Sequence, residues 1–215
     1  MLAPCAPRTL VHSGSRLPDG SFRVVGFSLG APVALRLAAD HPDRVAELVL
    51  VSAAAPLASG NFLPDMAGAP VFRLARKSKA GLGALLAAQG MAARLAPDAL
   101  LAALSKGTCE AERDWLARPG VTPALARSLR ESYGPRRADS VRRLRDYARS
   151  TDPVPDIRAP VRILHGTEDT WTPPAMASAL ADALGAEVEW QDGLGHYTTL
   201  ARTLPDLVAG ATRRT

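Results

Sequence analysis

The sequence predicts an α/β chain: a parallel sheet of about four strands flanked by helices, interrupted by a long all-helical segment. Three observations carry this reading. Short β-rich runs alternate with Ala- and Leu-rich helical runs at both ends of the 215 residues. Between residues 57 and 156 the β-rich runs stop and helix follows helix, punctuated by Gly and Pro. A pentapeptide, Gly26-Phe27-Ser28-Leu29-Gly30, stands at the junction of one β-rich run and the helical run after it.

The elements follow in chain order. Residues 1–20 contain Pro4, Pro7, Ser13-Gly14-Ser15 and Pro18-Asp19-Gly20, so they read as an irregular segment. Phe22–Val25 is β-rich, and Ala34–Ala39 is its helix. Val45–Val51 is a second strand, followed by Ser52 and three alanines up to Pro56. Helices are then expected over 69–78, 83–95, 97–105, 108–118, 123–131 and 137–149, with Asp98, Glu110 and Glu112 suited to helix N-termini. Val161–His165 reads as a short buried strand, 175–184 as a helix and 186–190 as a last strand. The core is therefore expected over 21–56 and 157–215, and an inserted helical unit over 57–156.

Chemistry enters at Ser28. A sharp strand-to-helix turn needs flanking residues almost without side chains, and Gly26 and Gly30 supply them. The helix that follows aims its N–H groups and positive dipole end at the serine, which makes the Leu29 N–H the expected oxyanion donor. Serine alone is a weak nucleophile at neutral pH and needs a base and a group to orient that base. Gly166-Thr167-Glu168-Asp169 places a carboxylate just past a strand end, and Asp192-Gly193-Leu194-Gly195-His196 delivers an imidazole on a glycine-rich loop. The order Ser28, Asp169, His196 differs from that of the two other common serine-protease folds.

With these motifs in place, the chain resembles the α/β-hydrolase superfamily, in the branch with a helical cap inserted after the sixth core strand. The match runs from about Phe22 to the end and rests on the G-x-S-x-G elbow, on Gly166, Asp169 and Pro173 as G-x-x-D-x-x-x-P, and on Gly193, Gly195 and His196 as G-x-G-H. The resemblance implies a partial α/β-hydrolase fold and a serine hydrolase that cleaves an ester, thioester or related acyl substrate through an acyl-enzyme. The same triad also serves C–C hydrolysis, acyl transfer and perhydrolysis, and an aspartate-nucleophile chemistry is disfavoured by Ser28. No phosphate loop, dinucleotide fingerprint or metal cluster is visible, so no cofactor and no metal are expected. The cap is expected to close over Ser28 and, with Phe27, to hold a small, apolar acyl substrate through Leu82, Leu85, Leu86 and Met91; the other reading of each cap residue is that it belongs to the cap's own core.

The family places several strands, and the loop giving a second oxyanion N–H, ahead of the elbow, whereas 27 residues precede Ser28 here. His12-Ser13-Gly14 lies too near the elbow to be that loop. Either the native protein is longer, or this is a short form that has lost half its core. In both cases the strand around Val24 is expected to be an edge strand, promoting self-association. Losing one oxyanion donor costs roughly 10²–10³ in rate, so the alternative is an inert remnant or a binding protein.

Composition limits the rest. The chain is 47% hydrophobic with a net charge of +5, an ordinary soluble class. No run is long enough to span a membrane, residues 1–10 lack the regions of a signal peptide, and Cys5 and Cys109 show no metal-ligand spacing. A cytoplasmic, bacterial protein is expected, with no membrane partner. Arginines concentrate over 127–149, but Val141, Leu144 and Tyr147 recur every third residue, so these arginines read as a solvated helix face and not a nucleic-acid site. His41 reads as a helix end, His165 as a packing residue and Ser52 as a turn former; Glu168 and Asp192 are off the acid position.

Overall fold

In the computed structural model of the chain, residues 8–10, 17 and 19–212 are described, with side chains for 17 and 19–209. Cys5 and the tripeptide His12-Ser13-Gly14 lie outside the described residues. Five strands, β1 (Arg8–Leu10), β2 (Phe22–Phe27), β3 (Val45–Val51), β4 (Val161–Gly166) and β5 (Val188–Gln191), form one sheet in sequence order. Every neighbouring pair is parallel.

The sheet is thus one strand larger than the four expected. Arg8–Leu10 is a strand and not irregular chain, and it pairs with Phe22, Arg23 and Val24. Three residues are too few to show period-two alternation, and the surrounding prolines hide them. The strand around Val24 is therefore not an edge: β2 has partners on both sides over Phe22–Val24, and among the described residues Val25–Phe27 pair with β3 alone.

Parallel strands joined by helices are buried on both faces, and alternate residues here feed two cores. Val24, Leu48, Leu50 and Ile163 face one side, where α1 (Ala31–Asp40) and α8 (Pro174–Leu184) supply Ala34, Leu35, Met176 and Leu180. Val25, Val49, Val51 and Leu164 face the other, against Leu207 of α9 (His196–Thr212). Each such buried aliphatic side chain contributes about 1.5–3 kcal/mol. The sequence signal for α9 was poor, since Thr198, Thr199, Thr203 and an internal Pro205 all disfavour helix.

A 3₁₀ turn (Leu63–Asp65) and six α-helices separate β3 from β4: α2 (Ala69–Lys77), α3 (Lys79–Leu95), α4 (Pro97–Leu104), α5 (Glu110–Leu116), α6 (Val121–Tyr133) and α7 (Arg137–Arg149). Val141 is buried, and Leu144 and Tyr147 pack on the main core, so the apolar stripe of α7 is the inner face. Its arginines are not all solvated. Arg145 Nη1 donates to the Ala75 carbonyl at 2.8 Å and Arg149 Nη2 to that of Arg76 at 2.7 Å, satisfying orphan acceptors in the last turn of α2. Tyr147 Oη donates to the Ala55 carbonyl at 2.7 Å, which ties α7 to the chain leaving β3.

Candidate active site

Ser28 sits where β2 passes through a short 3₁₀ turn into α1, and its backbone has φ +52°. A non-glycine residue in that left-handed region costs about 1–2 kcal/mol and needs external support. The Ala54 N–H donates to the Ser28 carbonyl at 3.1 Å, bracing the turn against the chain after β3. The two flanking glycines are unequal. A Cβ on Gly26 would lie 2.7 Å from Ala34 Cβ, because α1 folds back tightly on β2. Gly30 has φ −76° and, among the described residues, nothing within 4 Å of where its Cβ would stand. Only Gly26 is sterically required by this turn. Leu29, 39% exposed, directly follows the serine in the 3₁₀ turn.

Asp169 lies just past β4, and His196 is the first residue of α9. The two loops are stitched together: Glu168 N–H donates to the Leu194 carbonyl at 3.0 Å, and Gly193 N–H to Thr167 Oγ1 at 2.9 Å. A Cβ on Gly166 would stand 2.2 Å from the Leu194 oxygen, so this approach needs glycine. The result is a continuous chain of contacts. His196 Nδ1 is 2.8 Å from Asp169 Oδ2, and His196 Nε2 is 2.9 Å from Ser28 Oγ. With Nδ1–H donating to the carboxylate, Nε2 is left to accept the serine proton.

Asp169 is buried, yet it is held below the usual carboxylate range. Burial works to raise its pKa, but attraction and hydrogen bonding to His196, attraction to His165 where acid protonates that ring, and the Thr172 N–H together outweigh that. Trp171 and Thr172 N–H both donate to Oδ1 at 2.9 Å. The Thr172 hydroxyl lies 2.9 Å from Asp169 Oδ2, 3.1 Å from the Ser52 carbonyl oxygen and 3.2 Å from His196 Nδ1. Thr172 was not legible as a site residue, although its Asp-x-x-Thr spacing is that of a local side-chain turn.

The other candidates fall on structural positions. His165 is fully buried; its Nε2–H donates to the Thr172 carbonyl at 2.8 Å, leaving Nδ1 without a partner among the described residues. Burial, partly opposed by Asp169 and the Thr172 carbonyl, pushes its pKa down, so the ring is neutral. Ser52, at φ +43°, is also buried, and its Oγ donates to the His196 carbonyl at 3.2 Å. Glu112 of α5, which gave no signal beyond helix-start preference, accepts from Tyr197 N–H, Thr198 N–H and Thr198 Oγ1 immediately beyond His196.

A cavity of about 160 Å³ opens between α3, α4, α5 and α6, the loop that carries Trp171 and the first turn of α9 at Tyr197. Leu101, Leu104, Leu116, Leu125 and Leu129 give it apolar walls. Burial, with nearby Tyr133, Glu112 and Asp169, pushes the Tyr197 phenol up to about 12, so it lines the space as a neutral group. Phe27 stands beside the site, its ring centroid 4.8 Å from that of His196 and 5.9 Å from that of Tyr197. The structure does not bring the four expected cap residues to this cavity. Leu82 and Leu86 are fully buried in the main core, Leu85 is half-buried beside them, and Met91 is 53% exposed. All four lie on α3, where the helix period turns two inward and leaves the others at its flank and outer face.

A parallel sheet with a serine on a strained strand-to-helix turn, and an acid and a histidine on the two strand-end loops beyond it, is the arrangement of an α/β hydrolase. The chain belongs to that family: residues 14–199 match the model of the alpha/beta hydrolase fold. Among curated proteins it is 32% identical over 205 residues to a pimeloyl-[acyl-carrier protein] methyl ester esterase of Aromatoleum aromaticum, across 86% of this chain and 70% of that protein. It is 32% identical over 175 residues to the protein of the same name from Neisseria meningitidis serogroup B, across 75% of this chain and 56% of that one. Among solved structures it resembles an alpha/beta hydrolase enzyme from a Medee basin deep-sea metagenome library, with TM-score 0.54, 21% identity, and coverage of 91% of this chain and 66% of the other. A thermophilic esterase from Thermogutta terrifontis gives TM-score 0.53 and 19% identity over 90% of this chain and 64% of the other. The chain thus spans between about half and seven tenths of the length of these proteins. Among the described residues, no helix is long and apolar enough to cross a membrane.

Proposed function

We propose that the protein is a serine esterase, with Ser28 as nucleophile, His196 as proton carrier and Asp169 as the group that orients and charge-balances the imidazole. The observation that carries this is the unbroken path from Asp169 Oδ2 through His196 to Ser28 Oγ, at 2.8 and 2.9 Å. Ser28 Oγ attacks the ester carbonyl as His196 Nε2 takes its proton. The oxyanion develops beside the Leu29 N–H, in the 3₁₀ turn that leads into α1. Collapse expels the alkoxide, which leaves as the alcohol with the proton from Nε2, and the acyl group stays on Ser28. Water then gives a proton to Nε2 and its oxygen to the acyl carbon; the carboxylic acid departs and Ser28 regains its proton.

The substrate proposed is a carboxylic ester of an acyl chain, within reach of the Leu-lined cavity. The names of the two curated relatives support, more narrowly, a methyl ester on an acyl chain borne by a carrier protein. The first test is intact-mass detection of fluorophosphonate labelling, with p-nitrophenyl butyrate turnover and circular dichroism alongside. One adduct on the folded protein, absent from Ser28→Ala and strongly slowed in His196→Ala, is the expected result. A folded chain with neither adduct nor turnover overturns the proposal.

A further inference from the structure

Helix α9 starts on His196, and its preceding residue is Gly195, which has no side chain to accept from the first free N–H groups. Those donors are satisfied from a distant element. Glu112 of α5 is 1% exposed, and its carboxylate accepts from Tyr197 N–H at 2.9 Å and Thr198 N–H at 3.0 Å. Its Oε2 also accepts from Thr198 Oγ1 at 2.9 Å, while that hydroxyl accepts from Gly195 N–H at 2.8 Å. The absence of a side chain at 195 and the presence of the carboxylate are matched: a Cβ there would stand 2.8 Å from Glu112 Oε2. One turn further along α5, Trp115 stacks on the Tyr197 ring at 5.9 Å and 9°.

We propose that Glu112 is a positioning residue, which caps α9 from outside and thereby holds the His196 ring in register with Asp169 and Ser28. Its negative charge at the helix N-terminus is itself favourable. The backbone of the histidine is then gripped on both sides, by Ser52 at its own carbonyl and by Glu112 at the next two amides. Because Glu112 belongs to the helical segment and also lines the cavity, whatever shifts α5 shifts the base with it. This inference rests on the reading of His196 as the proton carrier.

The test is Glu112→Gln, which keeps the shape but turns one acceptor oxygen into an NH₂ facing an N–H or hydroxyl donor. Labelling of Ser28 and kcat for p-nitrophenyl butyrate should fall about ten-fold or more, with KM unchanged, well below the melting temperature. Val141→Ala, which thins the contact of α7 with α3, should lower Tm and leave labelling at the wild-type rate. A Glu112→Gln protein that stays folded and labels like wild type, or slows only as its unfolded fraction grows, overturns the proposal. A second readout does not depend on reactivity: the downfield proton NMR resonance of His196 Nδ1–H, bonded to Asp169, should shift or vanish in Glu112→Gln. An unchanged resonance overturns the positioning role even if the wild type proves unreactive, an outcome that would sink the esterase reading alone. Should Glu112→Gln not fold, Glu112→Ala combined with Gly195→Ser places a capping oxygen locally. That variant should regain fold and resonance, and a folded form without the resonance overturns the proposal.

Discussion

Two serines in this molecule share an unusual backbone and a common neighbour but differ in exposure and in what their hydroxyls meet. Ser28 and Ser52 end neighbouring parallel strands, β2 and β3, and both hold positive φ, +52° and +43°. Both touch His196, one at the ring Nε2 and the other at the backbone carbonyl. Ser28 is half-buried, with its hydroxyl aimed at a nitrogen that can take its proton; Ser52 is fully buried, with its hydroxyl given to a carbonyl that cannot. Strain at a strand end therefore marks where the chain must turn sharply around the site. Exposure and the partner's proton affinity decide which strained serine can react.

The sharpest way to break this comparison is to remove each hydroxyl. Ser28→Ala should abolish fluorophosphonate labelling and ester turnover, with the chemical denaturation midpoint almost unmoved, since a half-exposed hydroxyl contributes little to stability. The largest partial effect is expected at Asp169→Asn, where the wrong imidazole tautomer is favoured and kcat should drop about 10³–10⁴-fold. Steady-state turnover of p-nitrophenyl butyrate reads both. Turnover in Asp169→Asn within ten-fold of wild type would mean that the 2.8 Å contact does not orient the ring.

Ser52→Ala should invert the pattern. Loss of a buried hydrogen bond leaves the His196 carbonyl short of one donor and costs about 1–2 kcal/mol, read as a lower urea midpoint, while turnover falls only a few-fold. A Ser52→Ala protein as inactive as Ser28→Ala would erase the distinction between the two serines.

The Ser28 end of the comparison was more legible than the Ser52 end. Ser28, Asp169 and His196 each carry a local motif, because a turn at a strand end constrains three or four consecutive residues, and the parallel sheet brings those turns to one edge. The α/β class and the six helices between β3 and β4 were readable for the same reason, their period and punctuation being local. Ser52 was visible only as a turn former. Glu112 was visible only as a helix-start residue, since its contact with the His196 loop crosses 85 residues and leaves no spacing to recognise. The expected lining residues Leu82, Leu85, Leu86 and Met91 sit on α3, where apolar residues alone do not say which side faces a neighbouring helix and which a void. β1 was too short for its alternation to register.

The smallest expected effect sharpens the buried side of the comparison, through His165. This ring shares Thr172 with Ser52: it donates to the Thr172 carbonyl, while the Thr172 hydroxyl lies against the Ser52 carbonyl and Asp169. Burial depresses its pKa below the ordinary 6.5, so in the unfolded chain it binds a proton at a higher pH than in the folded one. Stability from this group is complete above pH 6.5 and is lost as pH falls toward the depressed value, by at most about 1.4 kcal/mol per pH unit. Asp169 works in a separate, lower window: its folded pKa lies below its unfolded one, so its contribution holds above about 3.8 and is lost as pH falls through the folded value. Urea denaturation at pH 7.0 and 5.5 should therefore show a drop in wild type that His165→Gln, which keeps a donor and removes the titration, reduces. An equal drop in both proteins would place the pH sensitivity on another group, and the buried half of the site would then be held by geometry alone.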